Sequence, residues 1–167
     1  FLPALSQSCT EEQQIWAFEP NPESYTCAQI TIQINRLNNI KLTHSGLGEI
    51  ESKGIFQTHN EDGTPLGGGS HFATEKEGSL SINIMTIDAQ IPNDREIGII
   101  QLDVEGFEVQ ALKGGLHTIK RCHPILILEQ FPNTDIQSDP WFQTNILDQG
   151  YTHKETIHGN LVFRHHS

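Results

Sequence analysis

Residues 97–114 read Ile97-Gly98-Ile99-Ile100-Gln101-Leu102-Asp103-Val104-Glu105-Gly106-Phe107-Glu108-Val109-Gln110-Ala111-Leu112-Lys113-Gly114. The apolar run Ile97–Leu102 predicts a buried strand that ends at an acid. Behind it Val109, Leu112, Leu116 and Ile119 fall at i, i+3, i+7 and i+10, an apolar stripe that predicts a helix facing a sheet. Gly114-Gly115 interrupt that stripe and predict a split, because glycine weakens a helix interior. Pro124–Leu128 is the next buried strand and again ends at an acid, Glu129. Continuous apolar strands alternating with amphipathic helices imply an α/β fold with a mainly parallel sheet covered on both faces.

Toward the N-terminus, Leu80, Ile82 and Ile84 alternate with polar residues, so Ser79–Ile87 reads as a strand, and Gly54–Thr58 as another. Between them Asn60–Gly78 is rich in Gly, Ser, Thr and charge, with Gly67-Gly68-Gly69 at its centre. A long mobile loop over 60–78 is expected, and such loops are usually disordered or functional. Ile40–Leu47 predicts a strand with a tight glycine exit. Ile15-Trp16-Ala17-Phe18 predicts a buried strand running into Glu19-Pro20-Asn21-Pro22. Tyr25, Ala28 and Ile32 have helical spacing, yet Ile30, Ile32 and Ile34 alternate as in a strand. Asn21 as N-cap with Pro22 at the first helical position decides for a helix over 22–35. Toward the C-terminus, Trp141–Leu147 reads as a helix closed by Gly150. Tyr151–Phe163 reads as an antiparallel terminal hairpin turning near His158-Gly159-Asn160. Trp16 and Trp141 are expected to pack in the core and against helices.

The 167 residues fit one domain, 1–167, and carry a formal net charge of −11. That balance argues against nucleic acid or an anionic membrane surface as partner, since a polyanion needs a basic patch. No apolar run reaches the roughly 20 residues that cross a bilayer. Cys9, Cys27 and Cys122 are odd in number and far apart, which predicts three reduced, mostly buried thiols and a cytoplasmic setting. Nine histidines invite a metal, but His153, His158, His165 and His166 fall on the hairpin without ligand spacing, so no metal site is expected.

In an open parallel sheet, ligands bind beyond the carboxyl ends of the strands. Glu19, Asp103 and Glu129 each stand at such an exit. An acid placed like Glu19 can accept both hydroxyls of a ribose, worth roughly 1.5–3 kcal/mol as a charge-assisted hydrogen bond.

Several blocks carry a resemblance: Trp16-Ala17-Phe18-Glu19-Pro20-Asn21-Pro22, Asn38-Asn39-Ile40, Leu47-Gly48-Glu49, Thr86-Ile87-Asp88, and Leu102-Asp103-Val104-Glu105-Gly106-Phe107-Glu108 with Leu112-Lys113-Gly114. In this order and spacing the chain resembles the FkbM-type S-adenosylmethionine-dependent methyltransferases over roughly residues 14–130. The resemblance implies a Rossmann-like class I methyltransferase fold with S-adenosylmethionine as cofactor. It implies that Glu19 holds the cofactor ribose, with Pro20 and Asn21 shaping the turn beside it. Ser45, Gly46 and Leu47 would lie by the adenine. Asp103 would lie by the methionine moiety and the reacting methyl, and the Gly67–Ser70 stretch near the acceptor pocket. The family's first strand and glycine-rich turn have no counterpart here. They are expected upstream in the parent protein, unless the chain is a damaged or differently assembled relative.

Methyl transfer needs alignment and, for a hydroxyl acceptor, a general base. Asp103, Glu105 and His71 are the candidate bases. The resemblance implies O-methylation of a small molecule or sugar. The alternative is a non-catalytic binding or scaffolding domain of the same fold. A nicotinamide-dependent oxidoreductase shares the ribose acid but lacks the Asp-Val-Glu-Gly block.

Overall fold

Asn21 and Pro22 start helix α2, Pro22–Asn35, as the cap predicts: Asn21 Oδ1 accepts from the N–H groups of Glu23 and Ser24. The helix ends at Arg36 in the left-handed region, φ 54°. This is a computed structural model, which describes residues 2–10, 12–60, 62–66, 69–72, 80–130 and 134–166. Glu61, Gly67, Gly68 and 73–78 in the expected loop lie outside them, as does Ser79. The chain divides into two compact units, Phe1–Gly46 with Ser52–Ile84, and Leu47–Glu51 with Met85–Ser167.

The first unit begins with helix α1, Leu2–Ser8, and strand β1, Ile15–Phe18. Strand β1 pairs in parallel with β2, Ile40–Thr43, in the register Ile15↔Ile40 to Phe18↔Thr43. All four residues of β1 are only half-buried, so the strand is less enclosed than its apolar run predicts. The expected strand 40–47 is broken at His44-Ser45, and Gly46–Leu47 forms a separate short strand, β3. Strand β4, Ser52–Gln57, pairs antiparallel with β5, His71–Phe72, and with β6, Leu80–Met85. Part of the expected loop is therefore structured. Leu66 N–H donates to Thr58 O (2.8 Å), His59 bridges Pro65, and Gly63 turns at φ 81°. Leu37, Phe56 and Ile82 are the buried apolar side chains of this unit among the described residues.

The second unit has a denser core. Thr86 caps the short helix α3, Ile87–Gln90, so the strand expected over 79–87 stops at Met85. Strand β7, Ile99–Leu102, pairs in parallel with β8, Ile125–Glu129, in the register Ile99↔Ile125 to Leu102↔Leu128. Between them the predicted helix is split by Gly114-Gly115 into α4, Glu108–Lys113, and α5, Leu116–Cys122. Helix α6, Pro140–Asn145, is followed by a 3-10 turn that Gly150 closes at φ 104°. The terminal hairpin is β9, Tyr151–Ile157, and β10, Asn160–His165, turning through His158 and Gly159, both at positive φ. Such a two-residue turn matches the twist of the strands it joins. Leu112, Ile119, Leu126, Leu128, Phe142, Ile146 and Phe163 are almost wholly buried, and Phe142 meets Phe163 edge to face at 5.2 Å.

Several expectations are corrected. The sheets are mixed rather than mainly parallel, since β4 runs antiparallel to both β5 and β6; the antiparallel hairpin, with β10 between β8 and β9, is as expected. The hairpin's tight turn allows only an antiparallel return. Strand β7 alternates, with Ile100 and Leu102 buried but Ile99 59% exposed, so among the described residues only one of its faces is covered. The cysteines are free, but Cys27 is exposed and the other two half-buried. Trp16 and Trp141 are half-buried, the latter under the Lys113 ammonium at 5.9 Å. Among the described residues no helix is long and apolar enough to cross a membrane.

Gly114 marks the tightest approach in the second unit. A Cβ there would overlap the Gly48 carbonyl and press on Thr86, and backbone cannot swing aside. Gly114→Ala is expected to destabilise the protein by about 3 kcal/mol or more. Gly98→Ala, with open space around the new Cβ, leaves stability unchanged or slightly raised. Thermal melts of the two variants check this contrast.

Candidate functional site

In the first unit the parallel register sets the exits of β1 and β2 side by side, and Glu19 N–H donates to Thr43 O at 3.1 Å. Glu19 is half-buried, and its Oε1 accepts from Asn21 N–H at 2.8 Å. Burial pushes its pKa up, while the Asn21 N–H and the nearby His44 oppose the rise. The carboxylate is thus partly desolvated yet held in one orientation. Asn21 is buried and works twice: its Oδ1 caps α2, and its Nδ2 donates to Ser70 Oγ at 2.9 Å. The structure therefore ties Glu19, Pro20 and Asn21 to the end of the glycine/serine stretch.

His44, which sequence reasoning missed, donates from Nε2 to Pro20 O at 3.1 Å and stacks on Tyr25 with centroids 4.6 Å apart. Its only signal is its position just past the β2 exit. Ser45 is 1% exposed, and its Oγ has no hydrogen-bond partner among the described residues. A buried hydroxyl left unpaired is costly, so this atom fits a polar ligand atom. Gly46 follows it, also buried. His71 stands on β5 opposite Gln57 and is half-buried. Its Nδ1–H donates to Gly69 O at 3.0 Å, which leaves Nε2 as the acceptor.

In the second unit, Leu47 is buried, and the β7–β8 register determines the chemistry. Asp103 follows β7 directly and Glu129 ends β8, so the two acids emerge one strand spacing apart. Asp103, Glu105 and Glu129 each place a carboxylate oxygen within 4.8 Å of the others. Glu129 Oε2 is buried with no hydrogen-bond partner among the described residues. Burial, the hydrogen bond to Asp103 and the charges of Asp103, Glu105 and Glu108 together push the Glu129 pKa up to about 7. Like charges this close disfavour the ionised form of Glu129. The three oxygens also have a spacing that could hold a hard divalent cation, an arrangement the histidine-based reading did not consider. Glu105 adopts φ 52° and Gly106 φ 90°, a tight turn between the strand and α4.

Because folded Glu129 keeps its proton to a higher pH than the unfolded chain does, its ionisation costs stability as pH climbs from about 4.5 through about 7. Glu129→Gln removes that cost. The variant is expected to melt above the parent at pH 8, with the difference shrinking on acidification and absent below pH 4.5. Paired melts across that range measure it, and equal midpoints at pH 8 contradict the pairing.

Among solved structures, the crystal structure of methyltransferase FkbM from Methylobacillus flagellatus KT is similar, with a TM-score of 0.60 and 20% sequence identity. The likeness covers 92% of this chain and 36% of that one, so the chain spans little more than a third of the solved protein's length. At this identity it shows the fold alone, an α/β fold with mixed sheets. No curated protein matches the sequence closely enough to count as a relative. Residues 1–155, however, match the model of the methyltransferase FkbM domain, and the chain therefore belongs to the FkbM methyltransferase family.

Proposed function

We propose that the chain is part of an S-adenosylmethionine-dependent methyltransferase that acts on a hydroxyl of a small molecule or sugar. The observation that carries this reading is Glu19, a half-buried carboxylate at a strand exit, oriented by a backbone N–H. Such a group grips a vicinal diol through two charge-assisted hydrogen bonds. The unpartnered Ser45 Oγ fits the same nucleoside, as donor or acceptor to a ring nitrogen. When bound, S-adenosylmethionine supplies a methyl group on a cationic sulfur.

The chain's own residues divide the remaining work. Glu19 accepts the ribose hydroxyls, and Pro20 and Asn21 hold the turn that aims it. Gly46 and Leu47, both buried, shape the wall by the adenine. Asp103 offers negative charge to the sulfonium. Asp103 and Glu105 are candidate bases for the acceptor hydroxyl, as is His71, whose Nε2 is left as acceptor. On this reading the fold is Rossmann-like. The edge of β7 opposite β8, unpaired among the described residues, takes the family's first strand and glycine-rich turn from polypeptide outside these residues. The net charge and free cysteines fit a small-molecule partner in a cytoplasmic setting, away from nucleic acid and membrane.

That same open edge also favours a second reading, a non-catalytic module of the same fold. Calorimetric titration with S-adenosylhomocysteine separates the two. The methyltransferase reading expects micromolar binding, weakened about 10-fold to 100-fold in Glu19→Ala and several-fold in Ser45→Ala. No heat at millimolar ligand leaves the module as the function.

A further inference from the structure

We infer that Glu108 is the positioning residue that sets where Asp103 and Glu105 point. Glu108 is a buried residue, 5% exposed, in the first turn of α4, whose N-cap position, Phe107, makes no side-chain cap. Its side chain reaches backward. A single oxygen, Oε1, accepts from Val104 N–H at 3.2 Å and from Gly106 N–H at 3.4 Å. The first of these N–H groups belongs to the peptide that follows Asp103, and the second to the peptide that follows Glu105. One buried acceptor thus clamps the peptide plane after each of the two acids. The clamp is needed because Glu105, at φ 52°, holds a backbone conformation that L side chains rarely adopt. It is also mutual, since burying a polar side chain is costly unless it is hydrogen-bonded.

The consequence for ligands rests on the methyltransferase reading; the clamp itself does not. The test therefore has two arms, applied to the full chain and to Glu108→Ala and Glu108→Gln. In the first, hydrogen exchange read by NMR is expected to speed up about tenfold or more at the Val104 and Gly106 amides in Glu108→Ala. Glu108→Gln, which keeps an oxygen at the Oε1 position, restores the parent rates. In the second, the ratio of S-adenosylmethionine to S-adenosylhomocysteine affinity reports the carboxylate held against the sulfonium. That ratio is expected to fall about threefold to tenfold in Glu108→Ala and to stay near the parent value in Glu108→Gln. A role confined to folding lowers the melting temperature but leaves the ratio alone.

If Glu108→Ala fails to fold, Glu108→Asp, one methylene too short to reach both amides, is read in its place. Unchanged exchange at the two amides, or an unchanged ratio in a chain that binds both ligands, overturns the inference. If the parent chain binds neither ligand, the methyltransferase reading has failed and the exchange arm alone decides the clamp.

Discussion

Repulsion among carboxylates at one end of a parallel strand pair is the constraint around which the second unit is built. The register of β7 against β8 delivers Asp103 and Glu129 to neighbouring positions, and the turn after β7 adds Glu105. Left to itself such a group would ionise and splay apart. It is held by the raised pKa of Glu129, which keeps its carboxyl neutral to a higher pH, and by the backward reach of Glu108 to the turn's amides. Both devices spend stability, because each keeps a carboxyl group out of water. The well-packed interior beneath, from Leu112 and Ile119 to Phe142 and Phe163, offsets that cost.

The first unit solves a smaller version of the same problem. Glu19 is partly desolvated, and a single N–H from Asn21 orients it. Asn21 also starts α2 and ties down Ser70, so one buried amide side chain links the acid, the helix and the glycine/serine stretch. The apolar packing here is thin: no residue of α2 is fully buried, and Ile34 is 75% exposed. The order in this region comes from local hydrogen bonds at strand exits more than from a core.

Much of this was legible in the sequence where the signal was local. The Asn21-Pro22 cap overrode the alternating isoleucines of α2, and Gly114-Gly115 announced the split between α4 and α5. The motif blocks that resemble the family were enough to name it. Less legible were the limits of strands. A run such as Ile97–Leu102 reads as buried on both faces, yet Ile99 is exposed because its face of β7 is left uncovered among the described residues. Thr86 looked like strand continuation until its hydroxyl capped α3. The long loop hid a turn and a short strand, since His71–Phe72 is stabilised by pairing to β4, a contact no periodicity records.

The sequence by itself determined the helix starts, the glycine breaks, the order of acids along the chain and the family, because caps, turns and motifs act over a few consecutive residues. Only the tertiary structure decided which acids meet. Glu129 is 26 positions from Asp103 in the chain, and a strand register, which exists only once the sheet forms, makes them neighbours, so that Asp103 helps push the Glu129 pKa up. The same holds for Ser45, whose unpaired hydroxyl is an ordinary serine until folding removes the water around it.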